Sequence, residues 1–154
     1  MSLTLRAAVN DDREPVLDLL EELFEPPARQ PPDYTRARAT EGFVSAVTQP
    51  EADVLLAIEG GELIGMTSTY ADVPSMRFGQ RCWVEDLVVR PAHRSAGVGA
   101  LLLNAAADWA RERGCTHLEL ASAHVRVDAH RFYRARGMPQ KAVIFSLDLR
   151  DADV

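Results

Sequence analysis

The stretch VVRPAHRSAGVGA, residues 88–100, decides the fold, because an apolar strand end runs through it into a glycine-bearing turn and a long amphipathic helix. Pro91 lacks an N–H group and ends the strand. Gly97 and Gly99 remove two Cβ atoms where the helix begins, so successive backbone N–H groups can close on a ligand. A helix N-terminus carries about half a positive charge, so the pattern predicts an anion site suited to phosphate.

Two nucleotide-binding motifs do not fit this turn. The dinucleotide fingerprint needs Gly or Ala at position 102, which is Leu102, and the Walker loop needs a Gly-Lys-Ser/Thr run that is absent. The pattern that remains is Arg94-x-x-Gly97-x-Gly99, placed directly between a strand and a helix. The alternative interpretation is an ordinary glycine-rich turn without a ligand.

Composition limits the class of protein. A chain of 154 residues with 47% hydrophobic residues suits a single globular domain over residues 1–154. The net charge of −6 argues against a nucleic-acid partner, and no apolar run is long enough to span a membrane. Cys82 and Cys115 lie in predicted strands, which favours free thiols in a reducing compartment, and no apolar leader stands at the start. We therefore expect a cytoplasmic protein. The four histidines have no metal-ligand spacing, so we expect no metal.

Hydrophobic periodicity predicts ten elements along the chain. They are a strand at Leu3–Ala7, helices at Val16–Phe24 and Tyr34–Gln49, strands at Val54–Ile58, Leu63–Tyr70 and Arg81–Val89, a helix at Val98–Arg113, a strand at Leu118–Ala121, a helix at Asp128–Arg136 and a strand at Ala142–Leu149. Glu59-Gly60-Gly61-Glu62 predicts a hairpin turn between two of the strands. This order indicates an α/β fold in which a mixed sheet carries helices on both faces.

Three segments in this order resemble the GNAT superfamily of acyl-CoA-dependent N-acetyltransferases. They are the Arg94–Gly99 signature, the strand Trp83–Val89 before it, and the helix segment Ala129–Met138. The resemblance covers essentially the whole chain and implies the GNAT fold, a mixed, central twisted sheet flanked by helices. It also implies acetyl-CoA as the acyl donor and a homodimer through the sheet edge or the C-terminal strand.

The resemblance assigns the cofactor contacts mostly to the backbone. It implies that Leu87, Val88 and Val89 pair with the pantetheine arm and that the amides of Ser95, Ala96, Gly97, Val98, Gly99 and Ala100 hold the pyrophosphate. Arg94 adds a positive charge, with a solvated loop arginine as the alternative. Arg126 stands where many members carry a cofactor-contacting Asn, so that contact is a departure from the family.

The same resemblance assigns the chemistry to Glu85 and Tyr133. An alkyl ammonium must lose a proton before it attacks, which costs about 4–5 kcal/mol at pH 7. Glu85 stands where many members place a carboxylate that accepts this proton, often through water. Alternation directs Asp86 to the opposite sheet face, so both acids reach the site only if the strand contains a bulge. Tyr133 matches the tyrosine that protonates the departing thiolate. Structural pairing of Glu85 and core packing of Tyr133 are the alternatives, and His130 on the same helix is a weaker candidate.

The sequence thus predicts transfer of an acetyl group from acetyl-CoA to a primary amine by direct attack. Acidic residues concentrate in and around the first two helices, at Asp18, Glu21, Glu22, Glu25, Asp33 and Glu41. They favour a small cationic amine, or they are simply the solvated faces of two surface helices. Acetylation of a protein lysine or N-terminus, and a non-catalytic acyl-CoA-binding module, are the alternatives.

Overall fold

The computed structural model describes residues 2–150, which form two compact units that divide in sequence after Leu120. The first unit holds one five-stranded sheet in the order β1-β2-β3-β4-β5. Its strands are β1 (Leu3–Ala7), β2 (Ala52–Glu59), β3 (Glu62–Ala71), β4 (Arg81–Val89) and β5 (His117–Leu120). Its helices are α1 (Arg13–Glu21), α2 (Arg36–Thr48) and α3 (Val98–Glu112). Neighbouring strands β1 to β4 are antiparallel and β5 joins β4 in parallel, so the sheet is mixed.

Within residues 2–150, no helix combines the length and the apolar character needed to cross a membrane.

The turn between β2 and β3 confirms the predicted hairpin. Gly60 and Gly61 have φ values of 59° and 82°, and the register pairs Glu59 with Glu62 across them. Two successive left-handed residues match the right-handed twist of the strands, and glycine adopts that conformation without a steric penalty.

The sheet has an apolar core on each face, as the sequence predicts. On one face, α1 and α2 bury Leu19 and Phe43 against Leu56 of β2 and Met66 of β3. On the other face, Leu102 of α3 packs with Ala57 of β2 and Ile64 of β3. Because successive strand residues point to opposite faces, helices have to cover both. Each fully buried Leu or Ile adds about 1.5–3 kcal/mol of hydrophobic stabilisation.

A network around Arg36 joins α1 to α2. The guanidinium lies 2.8 Å from Glu14, 2.9 Å from Asp18 and 3.0 Å from Glu21. The Tyr34 hydroxyl donates a 2.7 Å hydrogen bond to the Glu21 carboxylate. Burial and this bond raise the pKa of Tyr34 to about 12, and the same bond together with Arg36 lowers the pKa of Glu21. At neutral pH the Tyr34 hydroxyl therefore stays protonated and the Glu21 carboxylate stays ionised, which preserves their hydrogen bond. The network holds α2 against α1.

The second unit contains α4 (Val127–Ala135), the helix that the sequence places at Asp128–Arg136. The predicted strand from Ala142 to Leu149 is wrong, because residues 139–148 form no strand. The side chains of Ile144 and Phe145 there are 63% and 92% exposed. An alternating pattern gives a stable strand only where a neighbour pairs its backbone and its apolar face is covered. Within residues 121–150, no strand offers that pairing.

Gly65 in β3 provides a test of the packing between the sheet and α3. A Cβ added there would lie 3.0 Å from Leu102 Cδ1, 3.2 Å from the Val88 carbonyl oxygen and 3.3 Å from Val98 Cγ1. Gly65→Ala should therefore lower the free energy of unfolding in urea by about 1–3 kcal/mol. Gly42→Ala is the matched control, because a Cβ on Gly42 of α2 meets nothing within 4 Å and should raise stability by about 0.5–1 kcal/mol. Equal stability of Gly65→Ala and the wild type would contradict the tight contact.

Candidate active site

The turn before α3 presents a row of backbone amides without partners. Gly97 is the N-cap residue with φ 85°, and Ser95 has φ 63°, the one positive value outside glycine in residues 2–150. Left-handed residues in such a turn direct successive N–H groups into one concavity. Within the described chain, no side chain caps α3 and the amides of residues 95–100 donate to no backbone carbonyl. Together with the helix dipole, these amides form a site for an anion.

The surroundings of the turn match this interpretation. A Cβ on Gly97 would meet nothing within 4 Å, so a side chain at this position would enter open space. Val98 is buried with Ile64 and Leu102, which anchors the turn to the sheet. The Arg94 Nε donates to the Val89 carbonyl at 2.9 Å, and its guanidinium therefore lies beside the end of β4. The structure thus brings together Arg94 and the amides that the sequence assigns to a pyrophosphate.

One edge of β4 is open over its second half. The strand pairs with β3 from Cys82 to Val89, but its parallel pairing with β5 runs only from Arg81 to Val84. Along Leu87–Val89, the edge opposite β3 has no strand partner within residues 2–150. An extended chain with amide groups can pair with such an edge as an added strand. This open edge leads directly into the amides of the turn, as expected for a pantetheine arm followed by a pyrophosphate.

A β-bulge interrupts β4 at Glu85. Ser68 lies opposite Asp86 and Thr69 lies opposite Val84, so Glu85 is an extra residue in β4. Cys82 packs against α3 and Val88 packs against α1 and α2, so alternation from either end directs Glu85 and Asp86 to the same face. The structure therefore contains the bulge that the two acids need to reach one site, and simple alternation does not hold at Asp86. A one-residue bulge leaves no trace in the hydrophobic pattern, and two adjacent acids in an apolar strand are its only sequence signal.

The two carboxylates of the bulge are oriented by neighbouring donors. Trp83 Nε1 donates to Glu85 Oε2 at 2.8 Å, and the Ser68 hydroxyl donates to Asp86 Oδ2 at 2.8 Å. Tyr70 lies opposite Trp83 in the register, and its pKa is raised by burial and then by the charge of Glu85. Glu85 is exposed and Asp86 is half-buried. Glu85 is thus held in place and open to solvent, which a proton acceptor requires.

Glu85 and Asp86 stand at the polar end of a cavity of about 280 Å³ between the sheet and helices α1 and α2. Ser68, Thr69 and Tyr70 complete that end. The rest of the lining is mostly apolar and includes Leu17, Leu20, Phe43, Ala46, Val54 and Met66. A cavity with apolar walls and a few converging polar groups is the usual form of a small-molecule site.

Three of the six acids in and around the first two helices form ion pairs with arginines. Asp18 and Glu21 pair with Arg36, and Glu22 pairs with Arg90 at 2.9 Å. These three carboxylates do not belong to the cavity lining. The negative charge of the cavity comes instead from Glu85 and Asp86 on β4.

In the second unit, α4 carries Tyr133 and His130. Burial raises the pKa of Tyr133, and the positive charge of Arg126 opposes that shift. The hydroxyl therefore stays protonated at neutral pH and can donate a proton. His130 Nε2 lies 3.1 Å from the Ser122 hydroxyl, and Arg126 is the N-cap residue of the helix. Arg126 and Tyr133 thus act on one another electrostatically, while His130 is engaged by Ser122.

The cysteines are free and not activated. Cys82 is buried with its Sγ 2.7 Å from the Thr69 hydroxyl, and burial raises the pKa of both Cys82 and Cys115. A thiol that stays protonated is a poor nucleophile. Within residues 2–150, no three His, Cys, Asp or Glu side chains converge as metal ligands.

Comparison with known proteins agrees with this fold and site. Residues 13–138 match the model of the acetyltransferase (GNAT) family. The chain is 32% identical over 142 residues to the aminoalkylphosphonate N-acetyltransferase of Salmonella typhimurium, covering 92% of this chain and 88% of that protein. It is 42% identical over 77 residues to the streptothricin acetyltransferase of Streptomyces lavendulae, which covers 50% of this chain and 39% of that protein. The chain therefore belongs to the GNAT family.

Solved structures show the same architecture. An aminoglycoside N-acetyltransferase in complex with CoA superposes with a TM-score of 0.83 at 16% identity, covering 96% of this chain and 95% of that one. Glucosamine-6-phosphate N-acetyltransferase from Arabidopsis thaliana gives a TM-score of 0.76 at 19% identity, covering 97% and 99%. These likenesses establish the fold. Family membership makes the protein an N-acetyltransferase with acetyl-CoA as its acyl donor.

The amide turn can be tested with a matched pair of glycines at the two ends of α3. Gly97 and Gly114 have similar φ values, 85° and 78°, and a Cβ on either meets nothing within 4 Å. Gly97→Glu places a carboxylate in front of the amides, so acetyl-CoA affinity by calorimetry should fall by about 100-fold or more, equivalent to about 2.7 kcal/mol. Gly114→Glu adds the same strain and charge at the other end and should change affinity by less than about threefold. Equal affinities of the two variants would make the turn purely structural.

Proposed function

We propose that this protein transfers the acetyl group of acetyl-CoA to the primary amine of a small molecule, with Glu85 as general base and Tyr133 as general acid. The observation that carries the proposal is the bulge in β4. It directs Glu85, oriented by Trp83, to the polar end of a cavity beside the open edge of the same strand. An acceptor amine in the cavity and a thioester along the edge would then meet at Glu85.

In this proposal the acyl donor is bound mainly by backbone. The amides of residues 95–100 and the charge of Arg94 hold the pyrophosphate, and Leu87–Val89 pair with the pantetheine arm. Arg126 contributes a positive charge near Tyr133. Fixing the thioester by strand pairing reduces the entropy lost when the two substrates reach a reactive arrangement.

The proton balance of the proposed reaction is simple. The amine enters as an ammonium ion, and Glu85 accepts its proton directly or through a water. The neutral nitrogen attacks the thioester carbonyl carbon, the C–N bond forms and the C–S bond breaks. The nitrogen loses its second proton to water as the amide forms; this proton restores the Tyr133 hydroxyl, and Glu85 gives its own proton to solvent. The CoA thiolate leaves with a proton from Tyr133, whose raised pKa keeps that proton in place at neutral pH. No covalent enzyme intermediate is needed.

The size of the cavity favours a small amine over a peptide. At about 280 Å³ it is bounded by α1, α2 and the sheet, and its apolar walls offer few partners for the amides of a peptide. Two relatives named above are an aminoalkylphosphonate N-acetyltransferase and a streptothricin acetyltransferase, whereas a Brucella melitensis ribosomal-protein-alanine N-acetyltransferase shares the fold with a TM-score of 0.74. A thiol-release assay with small amines and peptides separates the two substrate classes. A non-catalytic acyl-CoA-binding module would bind acetyl-CoA and release no thiol with any of them.

Glu85→Gln tests the base. Turnover near pH 7 should fall by about 100-fold or more, because the amide cannot accept the ammonium proton. Much of the loss should be recovered near pH 10.4, the usual pKa of an alkyl ammonium, where about half of the amine is already neutral. Glu62→Gln is the control, because it makes the same charge change at an exposed position at the start of β3. A deficit of the same size at every pH would assign Glu85 to binding or structure.

Tyr133→Phe tests the acid while keeping the aromatic ring. We expect kcat to fall by about tenfold or more and acetyl-CoA affinity to change by less than about tenfold, because the hydroxyl is required only at thiolate departure. Burial raises the pKa of Tyr133 above its usual value of about 10, so the wild-type kcat should lose this donor only above that pH. Normal turnover in the variant would contradict the assignment.

A further inference from the structure

We infer that Thr67, Ser68 and Thr69, three consecutive hydroxyl residues of β3, are positioning residues for Glu85, because they hold β4 on both sides of the bulge. We call these three side chains the hydroxyl row. The inference rests on the proposed function, since it adds residues that act on the reaction through the same base.

All three hydroxyl groups bond to residues of β4 that flank the bulge. The Thr67 hydroxyl donates to the Asp86 carbonyl at 2.8 Å, and the Thr69 hydroxyl donates to the Trp83 carbonyl at 3.2 Å. The Ser68 hydroxyl donates to the Asp86 carboxylate at 2.8 Å and accepts from the Asp86 amide at 3.1 Å. The backbone of β4 is thus held before and after the inserted residue.

The register explains why side chains are needed at this point. Between the pair of Ser68 with Asp86 and the pair of Thr69 with Val84, β3 advances by one residue while β4 advances by two. An extra residue disrupts the ladder locally, and a buried backbone group without a partner is costly. A hydroxyl on the partner strand supplies a hydrogen bond that the interrupted ladder does not. The hydroxyl row therefore stands where the bulge requires it.

The burial of Thr67 and Thr69 argues that their hydroxyl groups serve the bulge rather than the core. The two residues are 0% and 2% exposed. Valine has nearly the same shape, suits a strand and has no polar group to desolvate. A buried hydroxyl is tolerated when it is bonded, and both of these bond to β4 beside the bulge.

Cys82 connects the hydroxyl row to the core. Its Sγ lies 2.7 Å from the Thr69 hydroxyl oxygen. A hydroxyl has one hydrogen, and that of Thr69 is directed at the Trp83 carbonyl, so the thiol is the donor to the Thr69 oxygen. Burial raises the pKa of Cys82, which keeps the thiol protonated for this bond. Because Cys82 packs with Trp109 of α3, the row is anchored on that side.

Glu85 depends on the row because its own side chain is exposed. Trp83 Nε1 donates to Glu85 Oε2 at 2.8 Å, and the carbonyl of the same Trp83 accepts from Thr69. A shift of the bulge would therefore move the base and its orienting donor together. A displacement of about 1 Å at a reacting group can lower a rate by about 100-fold. Loss of the row should thus lower kcat without removing the amides that bind the acyl donor.

Thr67→Val tests this, because it removes a hydroxyl and nearly keeps the shape of a side chain outside the cavity lining. We expect kcat to fall by about tenfold or more and acetyl-CoA affinity to change by less than about threefold. Thr67→Ser keeps the hydroxyl and should recover most of kcat. Thr48→Val is the matched control, since it removes a hydroxyl that donates to the Val44 carbonyl of α2 at 2.7 Å, and it should leave kcat unchanged. Wild-type kcat in a folded Thr67→Val variant overturns the inference.

A double-mutant cycle separates positioning of Glu85 from a general structural role. In a Glu85→Gln background, Thr67→Val should lower kcat by less than about threefold, because the base through which it acts is already lost. A general defect lowers kcat by the same factor in both backgrounds, and that result overturns the inference. Ser68→Ala removes both bonds to Asp86 and provides a second cycle if Thr67→Val does not fold.

Amide hydrogen exchange distinguishes the failure of this inference from the failure of the proposed function. In Ser68→Ala the Asp86 amide loses its acceptor, so it should exchange about tenfold faster or more. The Arg90 amide donates to the Ile64 carbonyl at 2.8 Å and should keep its rate. Wild-type turnover in Glu85→Gln overturns the proposed base and the route through it, whereas faster exchange at Asp86 still assigns the bulge to the hydroxyl row. Unchanged exchange at Asp86 overturns the hydroxyl row whatever the turnover.

Discussion

The end of the parallel pairing at Val84 is the constraint on which the rest of the site depends. Up to that residue β4 has a neighbour on each edge, and beyond it β4 pairs only with β3. The bulge at Glu85 occupies the point of change, the open edge at Leu87–Val89 follows, and the amide turn follows that edge. The two carboxylates of the cavity and the open edge therefore lie on one strand.

Strong local signals explain which parts of the fold are visible in the sequence. The double glycine at Gly60 and Gly61 requires a hairpin, and Gly97 has the left-handed conformation that a turn before α3 needs. The alternation at 142–149 has the correct form for a strand, but a strand also needs a partner, and a partner is a non-local property. The bulge in β4 is not visible in the sequence for a different reason. The alternation of inward and outward side chains is regular before Glu85 and regular again after it, so neither half of the strand shows an irregularity.

Charge illustrates the same distinction between composition and position. A count of acids around the first two helices suggests a negative surface, yet Arg36 alone pairs with two of the six, Asp18 and Glu21, and also with Glu14. Pairing of this kind depends on which residues meet in space, so it cannot be obtained by summing charges along the chain. The two acids that line the cavity, Glu85 and Asp86, lie in an otherwise apolar strand, where adjacent carboxylates are unusual. Their positions therefore say more about the site than the total number of acids in the chain does.

The bulge also makes the site depend on the length of the chain as well as on its residue types. Removing one residue at position 85 would restore regular alternation along β4 without changing any apolar side chain of the strand. The core on both faces would still be filled by Val84, Leu87, Val88 and Val89, but only one of the two acids would be left. A comparison of relatives that weighs substitutions and ignores single gaps would judge such a chain nearly unchanged. A single deletion can thus remove this pair while every apolar residue of the strand is kept.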